Sequence, residues 1–157
     1  MAAREQIIVA GGGIVGSLTA LLLAQRGIPV TLIDAAIDPS ADERGAVFHP
    51  ATLDQVEECG FTAFLLEHGT PCRSVQYRAH AKGGIVEFDL AGFGCDVRHP
   101  YRLSSKRSVL LRFLHDALRA SPGARILFSC CPVRLRQSEY HVELVVQRPK
   151  GVATLLG

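Results

Sequence analysis

Glycines near the start of the chain have the spacing of a phosphate-binding turn. Gly11, Gly13 and Gly16 stand at G-x-G-x-x-G positions. Glycines at these positions permit a sharp turn, let the backbone approach a pyrophosphate and let the following helix pack closely. The helix start then offers unpaired N–H groups and a positive dipole end to the phosphates. The motif therefore predicts a phosphate-binding turn that comprises Gly11, Gly12, Gly13, Ile14, Val15 and Gly16.

An acidic residue stands where the ribose of a dinucleotide would lie. Asp34 lies about 20 residues past the glycines, where a carboxylate accepts hydrogen bonds from a ribose hydroxyl. The apolar run Ile7–Ala10 precedes the glycines, and a helical pattern at 17–26 follows them until Gly27 ends it. The β-rich run Val30–Ile33 then leads directly into Asp34. A strand, a tight turn, a helix and a parallel strand together predict an adenine-dinucleotide site.

The glycine motif has other interpretations. Glycine-rich turns also occur in βαβ units that bind no nucleotide, and the sequence alone leaves this alternative open. Residues 7–24 are nearly uncharged, and a membrane span needs roughly 20 such residues. The glycines among them, and the β-rich run that follows, argue against a span. A secretory signal is disfavoured, because Glu5 offsets Arg4 and no A-x-A-like cleavage site precedes the domain.

Composition excludes several kinds of partner and site. The chain has 157 residues, 48% of them hydrophobic, and a net charge of +2 from 17 basic and 15 acidic side chains. We expect a single domain over residues 1–157, with no nucleic acid or anionic membrane as a partner. The six histidines show no ligand spacing, so no metal is expected. The odd number of cysteines, with no C-x-x-C, indicates reduced thiols in a cytoplasmic compartment; they are Cys59, Cys72, Cys95, Cys130 and Cys131.

The rest of the chain predicts helices and strands around an antiparallel insertion. Helices are predicted at 51–59, at 61–67, and from a cap at Ser104 or Ser105 to about Arg119, with loops at 35–50 and 92–100. Strands at 74–81 and 85–90 form a hairpin around Lys82-Gly83-Gly84. Further β-rich runs follow at 125–128, 133–136, 140–147 and 152–156. This order predicts an α/β fold with an inserted antiparallel β-hairpin.

Three stretches carry a resemblance to a known family: QIIVAGGGIVGSLTALLLAQRGIPVTLID at 6–34, RGAVFHPATLDQVEECG at 44–60 and HPYRLSSKRSVLLRFLHDAL at 99–118. They resemble the FAD-dependent monooxygenases related to the aromatic hydroxylases, the class A flavoprotein monooxygenases. The first is shared with many flavoproteins, while the second and third are more discriminating. The resemblance implies a Rossmann-like FAD-binding domain of glutathione-reductase type.

Carried over by position, the resemblance implies roles for individual residues. The turn at 11–16 would hold the FAD pyrophosphate. Asp34 would bind the adenosine ribose, where the family usually has Glu. Arg44 matches the family's arginine near the FAD phosphates, and Arg107 stands where the family has Arg or Gln facing the cofactor. Each arginine also has a plain alternative as a solvated surface side chain.

The implied reaction is the NAD(P)H-dependent hydroxylation of a small organic, often aromatic, substrate. The sequence offers no acid/base pair at a plausible site, so no catalytic residue is assigned. One alternative is an NAD-dependent dehydrogenase. The stretch at 44–60 and the hairpin disfavour it, since a plain NAD-binding fold continues with βα units. The other alternative is an inactive truncated fragment that binds nucleotide weakly or not at all.

The C-terminal stretch departs from the family pattern. The family continues past the run that matches 152–157 with an Asp-Gly motif, a Gly-Asp motif that binds the ribityl chain, and a substrate-covering sheet. The resemblance thus implies an N-terminal fragment, truncated before the substrate domain and inactive alone. We also expect the apolar faces at 126–128 and 140–146 to stay open and to promote association with another chain.

Overall fold

The computed structural model describes residues 6–41, 43–81 and 83–157. Its contacts divide the chain into two compact units. The first unit contains the described residues up to Glu43 together with Ser108–Gly157, and the second is Arg44–Arg107. The sequence predicts one domain; the division arises because the inserted residues pair their strands with one another.

The helices are α1 (Ile14–Gln25), α2 (Pro50–Glu58), α3 (Thr62–His68) and α4 (Arg107–Ala120). The first strands are β1 (Ile7–Ala10), β2 (Val30–Ile33), β3 (Gly45–Phe48), β4 (Gly69–Cys72), β5 (Ser74–Ala79) and β6 (Gly83–Asp89). The later strands are β7 (Arg102–Lys106), β8 (Ala124–Leu127), β9 (Cys131–Gln137), β10 (Val142–Arg148) and β11 (Gly151–Leu156). Short 3-10 turns occupy Pro39–Ala41 and Leu90–Phe93.

The first unit is built on a parallel sheet. Strand β2 lies between β1 and β8, with Leu32 opposite Val9 on one side and Ile126 on the other. All of β2 is buried, as expected for the middle strand of a parallel sheet that is covered on both faces. Helix α1 contacts all three strands, and its small residue Ala20 is fully buried.

The other face of the parallel sheet is covered by an antiparallel meander, with β10 between β9 and β11. Leu144 and Val146 of β10 pack with Ile33 of β2 and Cys130 in one buried cluster. The expectation that the apolar face at 140–146 stays open is therefore wrong for β10. Its inward side chains are covered by β2 within the same unit, although Tyr140 is 86% exposed.

The second unit is antiparallel. Strand β7 lies between β3 and β4, so that Ser104 stands opposite both Val47 and Thr70. Strands β5 and β6 pair with each other from Ser74 opposite Asp89 to Ala79 opposite Gly83. Lys82 of the predicted hairpin turn lies outside the described residues. The buried core of this unit comprises Phe48, Leu53, Val56, Phe61, Leu65, Leu90 and Leu103.

Two predictions about this region are wrong. Ser104 and Ser105 do not cap a helix, because both lie in β7 and the helix begins at Arg107 without an intervening loop. The predicted loop at 35–50 contains a 3-10 turn, the strand β3 and the first residue of α2. In both cases the strands are short, and their hydrogen-bond partners lie far away in the sequence.

No helix in the described ranges is long and apolar enough to cross a membrane. Among the same residues, no three His, Cys, Asp or Glu side chains stand close enough together to hold a metal ion. All five cysteines are free thiols.

Candidate functional site

The glycine turn connects β1 to α1 in a conformation that requires glycine. Gly11 has a φ of +114°, a backbone region that residues with a side chain rarely adopt. Its N–H donates to the Ile33 carbonyl at 2.8 Å, which ties the turn to the end of β2. A Cβ on Gly16 would lie 1.9 Å from the Gly11 carbonyl oxygen. The helix therefore approaches the turn more closely than any residue with a side chain would allow.

Asp34 is bonded directly to this turn. Its Oδ2 accepts a hydrogen bond from the Gly12 N–H at 2.6 Å, and its Oδ1 accepts one from the Ala36 N–H at 2.7 Å. A Cβ on Gly12 would lie 3.1 Å from the Asp34 Cβ, so the close approach depends on glycine at this position too. A carboxylate has about four acceptor positions, and two backbone donors leave the others available to a ligand hydroxyl.

The first turn of α1 is suited to an anion. Gly13 is the N-cap residue, and no side chain caps this helix end. The first intrahelical bond runs from the Ser17 N–H to the Gly13 carbonyl, so the N–H groups of Ile14, Val15 and Gly16 have no acceptor within the helix. No acidic residue occupies the first turn, and Val15 is 80% exposed. These donors and the helix dipole favour a phosphate.

Behind the turn lies a buried pair of polar side chains that the sequence alone did not reveal. Ser17 and His115 are 0% and 2% exposed. The Ser17 hydroxyl donates to the Gly12 carbonyl at 3.1 Å and lies 3.0 Å from Nε2 of His115. The same Nε2 lies 3.3 Å from the Gly12 carbonyl oxygen. Burial lowers the pKa of His115, against the opposing effect of its bond to Gly12, so the ring is neutral near pH 7. The histidine spacing predicted only that this residue binds no metal.

A cavity of about 590 Å³ lies at the end of β8. Phe128, Ser129, Val152 and Ala153 contribute to its lining. Ser129 has a φ of +51°, an uncommon value for a residue with a side chain. Its N–H donates to the Ala36 carbonyl, and the Cys130 N–H donates to the Asp34 carbonyl. These bonds hold Ser129 beside the segment that follows Asp34.

The second unit brings the predicted arginines together. The Arg107 N–H donates to the Arg44 carbonyl at 3.0 Å, although the two residues are far apart in sequence. The backbones of Arg44 and Arg107 are thus adjacent. Their roles toward a cofactor remain predictions.

The second unit also contains an apolar cavity of about 440 Å³. Tyr77 and Phe88 line it and meet edge to face, with ring centroids 5.9 Å apart. His49 and Arg102 line the same cavity, and Nε of Arg102 donates to Nδ1 of His49 at 3.3 Å. The cavity thus joins aromatic walls to a cationic side chain. The sequence alone offered no signal for Arg102.

Comparison with known proteins shows the family. Residues 4–155 match the family described as "FAD binding domain". The chain is 31% identical over 129 residues to 6-hydroxy-3-succinoylpyridine 3-monooxygenase HspB of Pseudomonas putida, covering 82% of this chain and 33% of that protein. It is 26% identical over 156 residues to a para-nitrophenol 4-monooxygenase of a Pseudomonas species, covering 99% of this chain and 38% of that protein.

Among solved structures, the crystal structure of p-nitrophenol 4-monooxygenase PnpA from Pseudomonas putida has the same α/β fold. The TM-score is 0.88 at 24% identity, over 99% of this chain and 39% of that one. The chain therefore spans 33–39% of the length of these three proteins.

Proposed function

We propose that this chain, which belongs to the FAD binding domain family, is the FAD-binding part of a flavin-dependent monooxygenase. The observation that carries the proposal is the 2.6 Å hydrogen bond between the Gly12 N–H and Asp34. This bond places a carboxylate suited to a ribose beside a helix start that favours phosphate. The residues present thus fit the adenosine diphosphate half of FAD. The parallel sheet, with helix α1 on one face and an antiparallel meander on the other, supports the glutathione-reductase type of domain.

The parts of the adenosine diphosphate half of FAD are each assigned to residues of this chain. The pyrophosphate lies at the turn of Gly11, Gly12, Gly13, Ile14, Val15 and Gly16. Asp34 accepts a hydrogen bond from the adenosine ribose, and the adenine enters the cavity beside Ser129. Arg44 lies near the phosphates, and Arg107 faces the cofactor at the start of α4. The proposed FAD-binding domain extends over residues 1–157.

The proposed reaction is NAD(P)H-dependent hydroxylation of an organic, aromatic substrate. FAD, when bound, supplies the redox chemistry that activates oxygen. The residues of this chain bind and orient. Tyr77 and Phe88 offer apolar surface to an aromatic ring, and Arg102 attracts an ionised phenol. Two of the relatives are named as nitrophenol monooxygenases, which supports a phenol as the substrate class.

We further propose that these 157 residues alone do not hydroxylate a substrate. The relatives named as monooxygenases are longer, and this chain matches 33–38% of the two compared by sequence. The remaining residues of those proteins lie outside the matched part. The free thiols support a reducing, cytoplasmic compartment.

The direct test of the proposed function is FAD binding by the purified chain, measured by titration calorimetry with NAD as the comparison ligand. Tighter binding of FAD than of NAD is expected. Gly13→Val should abolish FAD binding while leaving the far-ultraviolet circular dichroism unchanged, because a side chain there would meet the phosphates. Equal affinity for the two dinucleotides would instead favour the dehydrogenase alternative. Unchanged FAD affinity in Gly13→Val would show that the glycine turn is not part of the FAD site.

The substrate class is tested separately with 4-nitrophenolate as the probe. Arg102→Met keeps a long side chain and removes the charge, so it should weaken binding of the anion. Arg73→Met is the matched control, because Arg73 is exposed and does not line the cavity. If both variants bind the probe as the wild type does, the cavity of the second unit is not the phenol site.

A further inference from the structure

The backbone of Gly12 is held on both sides of its Cα atom. Its N–H is bonded to Asp34 at 2.6 Å. The Gly12 carbonyl oxygen accepts from the Ser17 hydroxyl at 3.1 Å and lies 3.3 Å from Nε2 of His115. Because the serine hydrogen points to Gly12, the 3.0 Å contact between Ser17 and His115 requires the histidine to donate from Nε2. The N–H at Nε2 of His115 thus donates to both the Ser17 hydroxyl oxygen and the Gly12 carbonyl oxygen.

Holding the Gly12 carbonyl also sets the direction of the next N–H. The structure contains no cis peptide bond in the residues it describes. In a trans peptide the C=O of one residue and the N–H of the next point in opposite directions. The Gly12 carbonyl points toward the buried pair, so the Gly13 N–H points the opposite way. Gly13 is the N-cap of α1, and its N–H is therefore directed with the helix start toward the anion position.

We propose that His115, acting with Ser17, is a positioning residue that aims the Gly13 N–H at the pyrophosphate of the bound dinucleotide. This inference rests on the proposed function, since it takes the glycine turn to be the phosphate site. His115 reaches the turn from α4, more than ninety residues after Gly12. The phosphate site therefore includes a support that the local glycine motif does not encode.

A buried ring is also a packing group, and His115 packs against Phe128 with ring centroids 5.1 Å apart. A packing role and a positioning role make different predictions. Packing affects the whole unit and every ligand that binds to it. Positioning affects the phosphate interaction selectively, because it acts through the orientation of one peptide group.

The experiment measures binding of ADP and of adenosine, which differ in the diphosphate, to the full chain. His115→Phe keeps an aromatic ring and removes the donor. We expect it to weaken ADP binding about ten-fold, the effect of one hydrogen bond to a charged group, and to leave adenosine binding unchanged. His115→Gln restores an N–H donor and should recover most of the ADP affinity. Leu118→Ala, which opens a cavity on the buried face of the same helix, is the control for lost packing.

A second measurement needs no ligand. In an ¹H–¹⁵N spectrum of the free chain, the Gly13 amide signal should shift in His115→Phe and stay in place in His115→Gln. If His115→Phe leaves the ratio of ADP affinity to adenosine affinity unchanged, as it would when both ligands bind equally more weakly, the positioning role is overturned. FAD binding by the wild type tests the proposed function separately. A wrong positioning role can therefore be distinguished from a wrong proposed function.

Discussion

Asp34 accepts a hydrogen bond from the N–H of Gly12, a residue 22 positions earlier, across 2.6 Å. This bond joins the carboxyl ends of β1 and β2, where ligands of open parallel sheets bind. The second carboxylate oxygen of Asp34 accepts a hydrogen bond from the Ala36 N–H. The carboxylate thus stabilises the turn and is also available to a ligand. Mutants allow the two roles to be measured separately, as stability and as FAD affinity.

Asp34→Ala should weaken FAD binding by roughly ten- to a hundred-fold, because it removes a hydrogen bond that involves a charged group. It also deprives the Gly12 and Ala36 N–H groups of their acceptor, so a loss of unfolding free energy of about 1–3 kcal/mol is expected as well. Calorimetric titration and urea unfolding separate the two effects. Asp34→Glu is the control and should retain FAD binding. Full affinity in the alanine variant would exclude Asp34 from the ribose site.

Gly16→Ala should destabilise the first unit and lower FAD affinity. The added Cβ would lie 1.9 Å from the Gly11 carbonyl oxygen, so the helix or the turn must move. Overpacking of this kind costs about 1–3 kcal/mol, and occasionally more. Gly84→Ala is the matched control, because no atom lies within 4 Å of its Cβ position. Urea unfolding of both variants measures the difference. Equal free energies of unfolding would mean that helix α1 or the turn moves to accommodate the methyl group added at Gly16 at little cost.

Leu144→Ala should destabilise the chain by about 2–5 kcal/mol, as expected for a buried leucine. Leu144 is 8% exposed and packs against Ile33, whereas Leu135, its partner in register on β9, is 61% exposed. Leu135→Ala should therefore change stability by about 0.5 kcal/mol or less. The pair compares identical substitutions on paired strands. A similar loss in both would indicate that β9 is covered in solution, as the association expected from the sequence would require.

His115→Phe should remove part of the acid sensitivity of folding. Burial holds the pKa of His115 below its ordinary value of 6.5, with Arg119 acting in the same direction and Asp38 and Asp116 opposing it. As the pH falls through about 6.5, the unfolded chain takes up a proton that the folded chain does not. The stability that neutral His115 supports is therefore complete above this pH and is lost as the pH falls toward the lower folded pKa.

Urea unfolding between about pH 8 and pH 5 measures this prediction, since the window spans the ordinary pKa of histidine. The difference in unfolding free energy between wild type and His115→Phe should shrink as the pH falls. A difference that stays constant across the range would show that the residue does not change its protonation on unfolding.

The sequence was informative where a local pattern determines local structure. The glycine spacing, the apolar runs on either side and the final Asp34 predicted β1, α1 and β2 in the observed order. Such elements are encoded by neighbours, because turn geometry and hydrophobic periodicity act over a few residues. The geometry of Asp34 against the turn follows from the parallel pairing of β1 with β2.

The sequence was uninformative where distant residues supply the partner. Strand β7 carries two serines and a lysine, and no strand pattern marks it; its pairing with β3 and β4 defines it. His115 stands on a helix whose apolar periodicity was clear, but its contact with Gly12 depends on how α4 packs beside α1. A single sequence contains no signal for such a contact.

The second unit begins and ends at one place. The Arg107 N–H reaches the Arg44 carbonyl at 3.0 Å, and β3 and β7 run side by side from that point. A segment whose two ends already touch can be lengthened, shortened or exchanged at small entropic cost to the rest of the chain. A change in the length of the stretch between Glu43 and Ser108 should therefore leave its two points of attachment to the rest of the chain in place.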